Sequence, residues 1–173
     1  MSTAAAESPL QRAEPFRGYS SEPRALGEYA AMMAAFATSF GVALAAAQRR
    51  RGKLPERIDA SDVMMAGVAT QKLSRLIAKQ RVTSVVRAPF TREEGPGGPA
   101  EVTETPRGGR IRRSIGELLT CPFCLSQWVA GGFTAGLLLA PRPTRVIIGM
   151  FDMVALSDFL QVAYKAAEDR GER

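Results

Sequence analysis

Residues Leu118–Ala140, LLTCPFCLSQWVAGGFTAGLLLA, run for 23 positions without a charged side chain, and Tyr29–Ala47 run for 19 more. At a helical rise of about 1.5 Å per residue, such runs reach across a hydrocarbon core of about 30 Å. Two of them in a chain of 173 residues make membrane insertion the first constraint on the fold.

Charge follows the same division. The chain carries a net +6, and residues 48–117 alone hold 15 basic and 8 acidic side chains, so the surplus lies between the two long apolar runs. Basic residues collect on the cytoplasmic side of membrane helices. The chain has no histidine, which removes the commonest general base and metal ligand, and with them any Ser-His-Asp or Cys-His unit built from this chain alone. Two cysteines make no disulfide framework of the secreted kind.

Residues 1–26 are polar, with Pro9, Pro15 and Pro23, and read as a flexible tail. Residues 27–48 form the first transmembrane helix. Its Ala-rich end resembles a signal-peptidase site, but Arg49, Arg50 and Arg51 follow at once and no basic start precedes it, which argues against cleavage. Residues 59–92 are an amphipathic helix and cytoplasmic segment: Met65, Val68, Ala69, Leu73, Leu76 and Ile77 recur at helical spacing beside Lys72, Arg75 and Lys79. Such a helix lies on the cytoplasmic leaflet with its basic heads at phosphate, or packs on its own protein. Residues 93–113 are Gly- and Pro-rich without apolar periodicity and read as a disordered loop.

Residues 114–165 are expected to form a kinked transmembrane hairpin. Ser114-Ile115-Gly116-Glu117 has the form of a capping box. Pro122 breaks the helix at Cys121 and opens the next one. Pro141–Arg145 reads as a tight connection into a last apolar segment, Val146–Tyr164, which carries Asp152 and Asp158. Each carboxylate costs about 2.5–3.5 kcal/mol at a membrane helix centre, so hairpin formation with the stronger helix is needed to carry it across. The resulting topology places the N-terminus outside and residues 48–117 with the C-terminus in the cytoplasm. A fourth span over Val63–Ile77 is the second choice, because it leaves one flanking basic cluster outside.

Three blocks, Ala69-Thr70-Gln71-Lys72-Leu73-Ser74-Arg75-Leu76, Arg81-Val82-Thr83 with Arg87-Ala88-Pro89-Phe90-Thr91, and Gly116–Cys124 with Trp128, carry a further signal. Together they resemble a bacterial family of small membrane proteins of unknown function that includes the sporulation protein YjcA. The resemblance covers roughly residues 60–164. It implies a membrane protein with a conspicuous Cys motif and supplies no mechanism.

Cys121 and Cys124, as Cys-Pro-Phe-Cys at a helix start, are the sharpest candidates for chemistry. The helix dipole there favours a thiolate, and the spacing suits a reversible disulfide. Zinc is a second reading. It needs four ligands where the chain offers two, so the site would be shared across a homo-oligomer or completed by a partner. The plainest reading is two packing residues at a helix break. Asp158, with Gln161 and Lys165 at i+3 and i+7, forms a polar stripe able to pair with Lys72 or Arg75. Asp152, Asp158 and Gln161 are the intramembrane polar candidates. Lys72, Arg75, Lys79, Arg110, Arg112 and Arg113 are the candidates for lipid headgroups, within a basic surface that also counts Arg81, Arg87 and Arg92. Nucleic acid is not expected as a partner, since aromatics are not interleaved with the basic residues. The expectation is an all-α membrane fold with about three transmembrane helices plus one amphipathic cytoplasmic helix. No cofactor is expected beyond zinc in an oligomer, and the protein is expected to act by interaction with lipid, a second copy or a membrane partner. The alternatives are a thiol–disulfide factor and a soluble helical bundle.

Overall fold

A computed structural model describes residue 13, residues 16–20 and residues 25–171 of the chain. The tail expected over residues 1–26 falls mostly outside them. The fold is mostly helical: α1 (Leu26–Arg51), α2 (Ala60–Lys79), a 3-10 turn (Arg81–Thr83), α3 (Ser84–Arg87), β1 (Thr91–Pro96), β2 (Val102–Pro106), α4 (Arg110–Thr120), α5 (Pro122–Leu139) and α6 (Pro141–Gly171). Among the described residues, α1, α5 and α6 are long and apolar enough to cross a membrane. The chain divides into two compact units. The first joins the described residues up to Gly41 with Ile77–Cys121, and the second joins Val42–Leu76 with the described residues from Pro122 onward.

In the first unit, the segment expected to be a disordered loop is instead an antiparallel hairpin. Thr91 pairs with Pro106 and Pro96 with Val102, with a bulge between Glu93 and Gly95. Glycine and proline serve here as turn and edge residues rather than as marks of disorder. Gly97 N–H donates to Glu101 O (3.0 Å), Glu101 N–H donates to Gly98 O (2.9 Å), and the two prolines stand at strand ends. A lone two-stranded hairpin is marginal in water. This one buries Val102 and packs under α4. Gly116 permits the approach: a Cβ there would lie 2.6 Å from Phe90 O and 3.0 Å from Pro106 Cβ.

The capping box over Ser114–Glu117 does not form. Helix α4 starts a turn earlier, at Arg110, with Gly109 as an N-cap that has no side-chain bond and Arg113 N–H closing onto Gly109 O at 2.8 Å. Ser114 therefore lies inside the helix, and its Oγ is buried with no hydrogen-bond partner among the described residues.

In the second unit, α5 and α6 are separated by the single residue Ala140, so the connection expected at Pro141–Arg145 is already helix. Pro141 and Pro143 fall in the first turn, where backbone N–H groups have no intrahelical partner to lose. The chain reverses there. Phe133 and Leu137 of α5 cluster with Ile148 of α6 and Ala69 of α2, flanked by Val129, Phe151, Ala66, Leu73 and Ile58. Close packing without a hydrophobic drive depends on small residues. At Gly136 a Cβ would sit 2.7 Å from Thr144 Oγ1 and 2.9 Å from its Cγ2. Gly136→Leu should therefore lower the stability of this unit by about 1–3 kcal/mol through overpacking. Thermal unfolding in detergent measures it, and an unchanged midpoint would refute the tight contact.

Candidate functional site

Helix α2 has its polarity reversed relative to a water-soluble amphipathic helix. Val63, Met64, Met65 and Val68 are exposed, while Asp62, Thr70, Lys72 and Ser74 are buried. The buried charges find partners on α6. Arg145 donates from Nε to Asp62 Oδ1 at 2.8 Å and from Nη2 to Asp62 Oδ2 at 2.7 Å, a bidentate pair. Asp59, just before the helix, stands 4.0 Å from the same guanidinium. Further along, the Lys72 ammonium donates to Asp158 Oδ2. Between these two pairs Asp152 faces the backbone of Ala69, and its Oδ1 is buried with no hydrogen-bond partner among the described residues.

The pairing expected between the Asp158 stripe and the middle helix is thus made through Lys72. Lys72 is accordingly not placed for a lipid headgroup: it is 3% exposed and its ammonium is held inside the unit. Gln161 does not join the seam. It is exposed and donates to Ser157 Oγ at 3.2 Å on its own helix, one turn back.

The first unit holds a hub that composition and spacing do not reveal. Arg87, expected on a basic surface, is completely buried. Its Nε donates to Glu104 Oε2 (2.7 Å). Nη1 donates to Ile77 O (2.5 Å) and Thr83 Oγ1 (2.7 Å). Nη2 donates to Gln80 O (3.0 Å), Ser84 Oγ (3.2 Å) and Glu104 Oε1 (3.0 Å). Thr91 Oγ1 also donates to Glu104, at 2.9 Å. One guanidinium thereby ties the end of α2, the 3-10 turn, α3 and β2 together, using the planar fork that lysine lacks.

Burial by itself would raise the Glu104 carboxyl. The Arg87 and Thr91 hydrogen bonds and the Arg87 charge outweigh it and hold the group below the ordinary carboxylate range. The stabilisation is then fully present above the unfolded carboxylate value and is lost as pH falls through the lowered folded value. Amide protection across residues 91–106, taken relative to the intrinsic exchange rate at each pH, should fall in that acidic window, and Glu104→Gln should flatten the dependence. A pH-independent hairpin in the native chain would contradict the assignment.

The remaining basic candidates are partly engaged. Arg110 pairs with Glu28 at 2.7 Å, Arg113 with Glu117 at 3.4 Å, and Arg112 Nε donates to Pro89 O. Arg75 is exposed and Lys79 half-buried at the end of α2.

The helix break expected before Pro122 is complete. Helix α4 ends at Thr120, Cys121 is extended (φ −104°, ψ 102°), and α5 begins at Pro122. A residue preceding proline is driven out of the helical region by the proline ring, which explains the conformation. Cys121 and Cys124 are joined as a disulfide. Phe123 between them is 90% exposed and Cys124 is exposed as well. In this oxidised form neither sulfur offers a thiolate to a metal, so a zinc site requires the reduced protein.

Three helices long and apolar enough to cross a membrane suggest a multi-pass membrane protein. The chain belongs to the family described as protein of unknown function (DUF1360), which matches over residues 65–164 and so takes in most of the seam, the Arg87 hub and the disulfide. No curated protein matches the chain, and no solved structure matches it.

Proposed function

We propose that this chain is a non-enzymatic membrane protein that acts by interaction, as a scaffold or assembly component seated in lipid and contacting a second copy or another membrane protein. The observation that carries the reading is the reversed polarity of the second unit. The charges of Asp62, Lys72, Arg145 and Asp158 are directed at one another, and the exposed side chains Val146, Met153, Leu156, Phe159 and Leu160 of α6 are apolar. Groups committed to interhelical pairs hold a framework together. The test is chemical crosslinking in native membranes followed by size analysis in mild detergent. A discrete complex larger than the monomer is the expected result, and a monomer alone under both conditions would refute the reading.

A second reading is a thiol–disulfide factor, favoured by the disulfide at the start of α5 next to an exposed Phe123. A dithiol protein would attack it, passing two electrons to the bond. The partner is left with a disulfide, and Cys121 and Cys124 become thiols after proton uptake. Cys124→Ser would leave the Cys121 thiolate free to attack the partner's disulfide form, displacing one partner thiolate and holding the other sulfur as a mixed disulfide. Recovery of such an adduct, dissolved by reductant, is the outcome this reading requires. A zinc site in a reduced oligomer remains part of the same proposal, and would be detected as metal released with protein stoichiometry on chelation.

A further inference from the structure

Resting on the membrane reading above, we infer that α2 crosses the bilayer as a fourth span, so that the N-terminus faces the same side as residues 80–120. The exposed face Val63, Met64, Met65 and Val68 then meets lipid acyl chains. Two observations, each confined to one unit, lead there separately.

The first is the direction of α2 against α6. Asp62 pairs with Arg145, Ala69 lies at Asp152, and Lys72 pairs with Asp158. Residue numbers rise together on both helices, so the two run parallel. The clamps are ten residues apart on α2, about 15 Å of helix. A helix pinned at both ends of that length to a membrane-spanning neighbour shares its inclination and cannot lie flat on a leaflet. Its 20 residues reach about 30 Å, enough for the hydrocarbon core. The charges that spoil its hydropathy are accounted for: Asp62 and Lys72 point into the unit, and Arg75 and Lys79 sit in the last turn or near it, where long basic side chains extend to the headgroups.

The second observation concerns α1. Tyr29 Oη donates to Glu117 Oε2 at 2.6 Å, and Glu28 pairs with Arg110 at 2.7 Å. The first turn of α1 therefore stands beside α4, which directly precedes the start of α5. The 26 residues of α1 extend about 39 Å. That length exceeds the hydrocarbon core, so a membrane-crossing α1 would carry Arg51 to the other side of the bilayer from Tyr29. Had residues 48–117 all remained on one side, as the basic surplus suggests, Tyr29 and Glu117 would be separated by the bilayer. The segments between the helices then divide simply. The N-terminus, residues 80–120 and the C-terminus share one side; residues 52–59 and Ala140 share the other. Arg49, Arg50, Arg51, Lys53 and Arg57 then lie on one side and the seven basic residues of 80–120 on the other, so the surplus of residues 48–117 is split across the bilayer.

The test introduces one cysteine at a time, Ser2→Cys, Lys53→Cys or Glu93→Cys, into the otherwise native chain, whose own cysteines are joined to each other. An impermeant maleimide is applied to intact and to permeabilised cells. Ser2→Cys and Glu93→Cys should behave alike, labelling either on intact cells or only after permeabilisation, and Lys53→Cys should show the other behaviour. Lys53→Cys and Glu93→Cys behaving alike, with Ser2→Cys opposite, would restore three spans and overturn the inference. All three behaving alike would overturn it too. A photoactivatable phosphatidylcholine with its probe at the acyl end should mark peptides containing Met64 as well as those from α6; labelling of α6 without α2 would remove the lipid-facing surface. Recovery of the native chain in the soluble fraction is a separate result, and it would overturn the membrane reading itself.

Discussion

Arg87→Met should destabilise the first unit by about 3–5 kcal/mol, the expected range for removing one partner of a buried ion pair. The substitution roughly preserves volume, so the loss comes from the groups left behind. Glu104 stays buried with the Thr91 hydroxyl but without an opposite charge, and the Ile77 and Gln80 carbonyls and the Thr83 and Ser84 hydroxyls each lose one hydrogen-bond donor. A two-stranded hairpin has little stability of its own to absorb this. Amide exchange over residues 91–106 and thermal unfolding in detergent would register it. Adding Glu104→Gln should recover part of the loss, because the uncompensated charge is then gone. A single variant within about 0.5 kcal/mol of the native chain, the range of an ordinary surface substitution, would show that Arg87 is not the tie between these segments.

The second large effect is at the Lys72–Asp158 pair. Asp158→Asn and Lys72→Met should each cost about 3 kcal/mol, because each removes one partner of an ion pair that hydrocarbon cannot solvate. The Lys72 side chain is 4% exposed, so losing the carboxylate strands an ammonium in the interior. That of Asp158 is 51% exposed, but on a membrane-crossing helix its exposed side meets acyl chains, so losing the ammonium strands a carboxylate as well. Lys72→Met combined with Asp158→Asn should cost less than the two single losses together, because no uncompensated charge is left. Unfolding midpoints of the variants in one detergent give the comparison, and a single variant within about 0.5 kcal/mol of the native chain would contradict the pairing.

Much of the helical framework was legible in the residues. Uncharged runs located α1 and α5 to within a few positions, Pro122 marked the break before α5, and the i+3/i+4 recurrence of apolar residues marked α2. The Asp158 stripe pointed to Lys72 or Arg75 as its partner, since a carboxylate in an apolar helix has few ways to be stabilised, and the fold selects Lys72. The misreadings share a cause. The hairpin over residues 91–106 has no apolar alternation to reveal it, because its stability comes from Arg87, Val102 and the close approach of Gly116 rather than from its own side chains. The capping box failed because a turn beginning at Gly109 placed Ser114 inside the helix.

By itself, then, the sequence determined that this is a helical chain made for lipid, with a dithiol motif at a helix start and no imidazole chemistry. Those properties depend on composition and on short-range spacing, which the chain carries locally. Only the tertiary structure decided which face of α2 is inside, that Arg87 is buried, and that the beginning of α1 stands beside α4. An amphipathic pattern specifies that a helix has two faces but not which of them meets lipid. That assignment waits on the partner charges, Arg145 and Asp158, which lie 83 and 86 residues along the chain from Asp62 and Lys72.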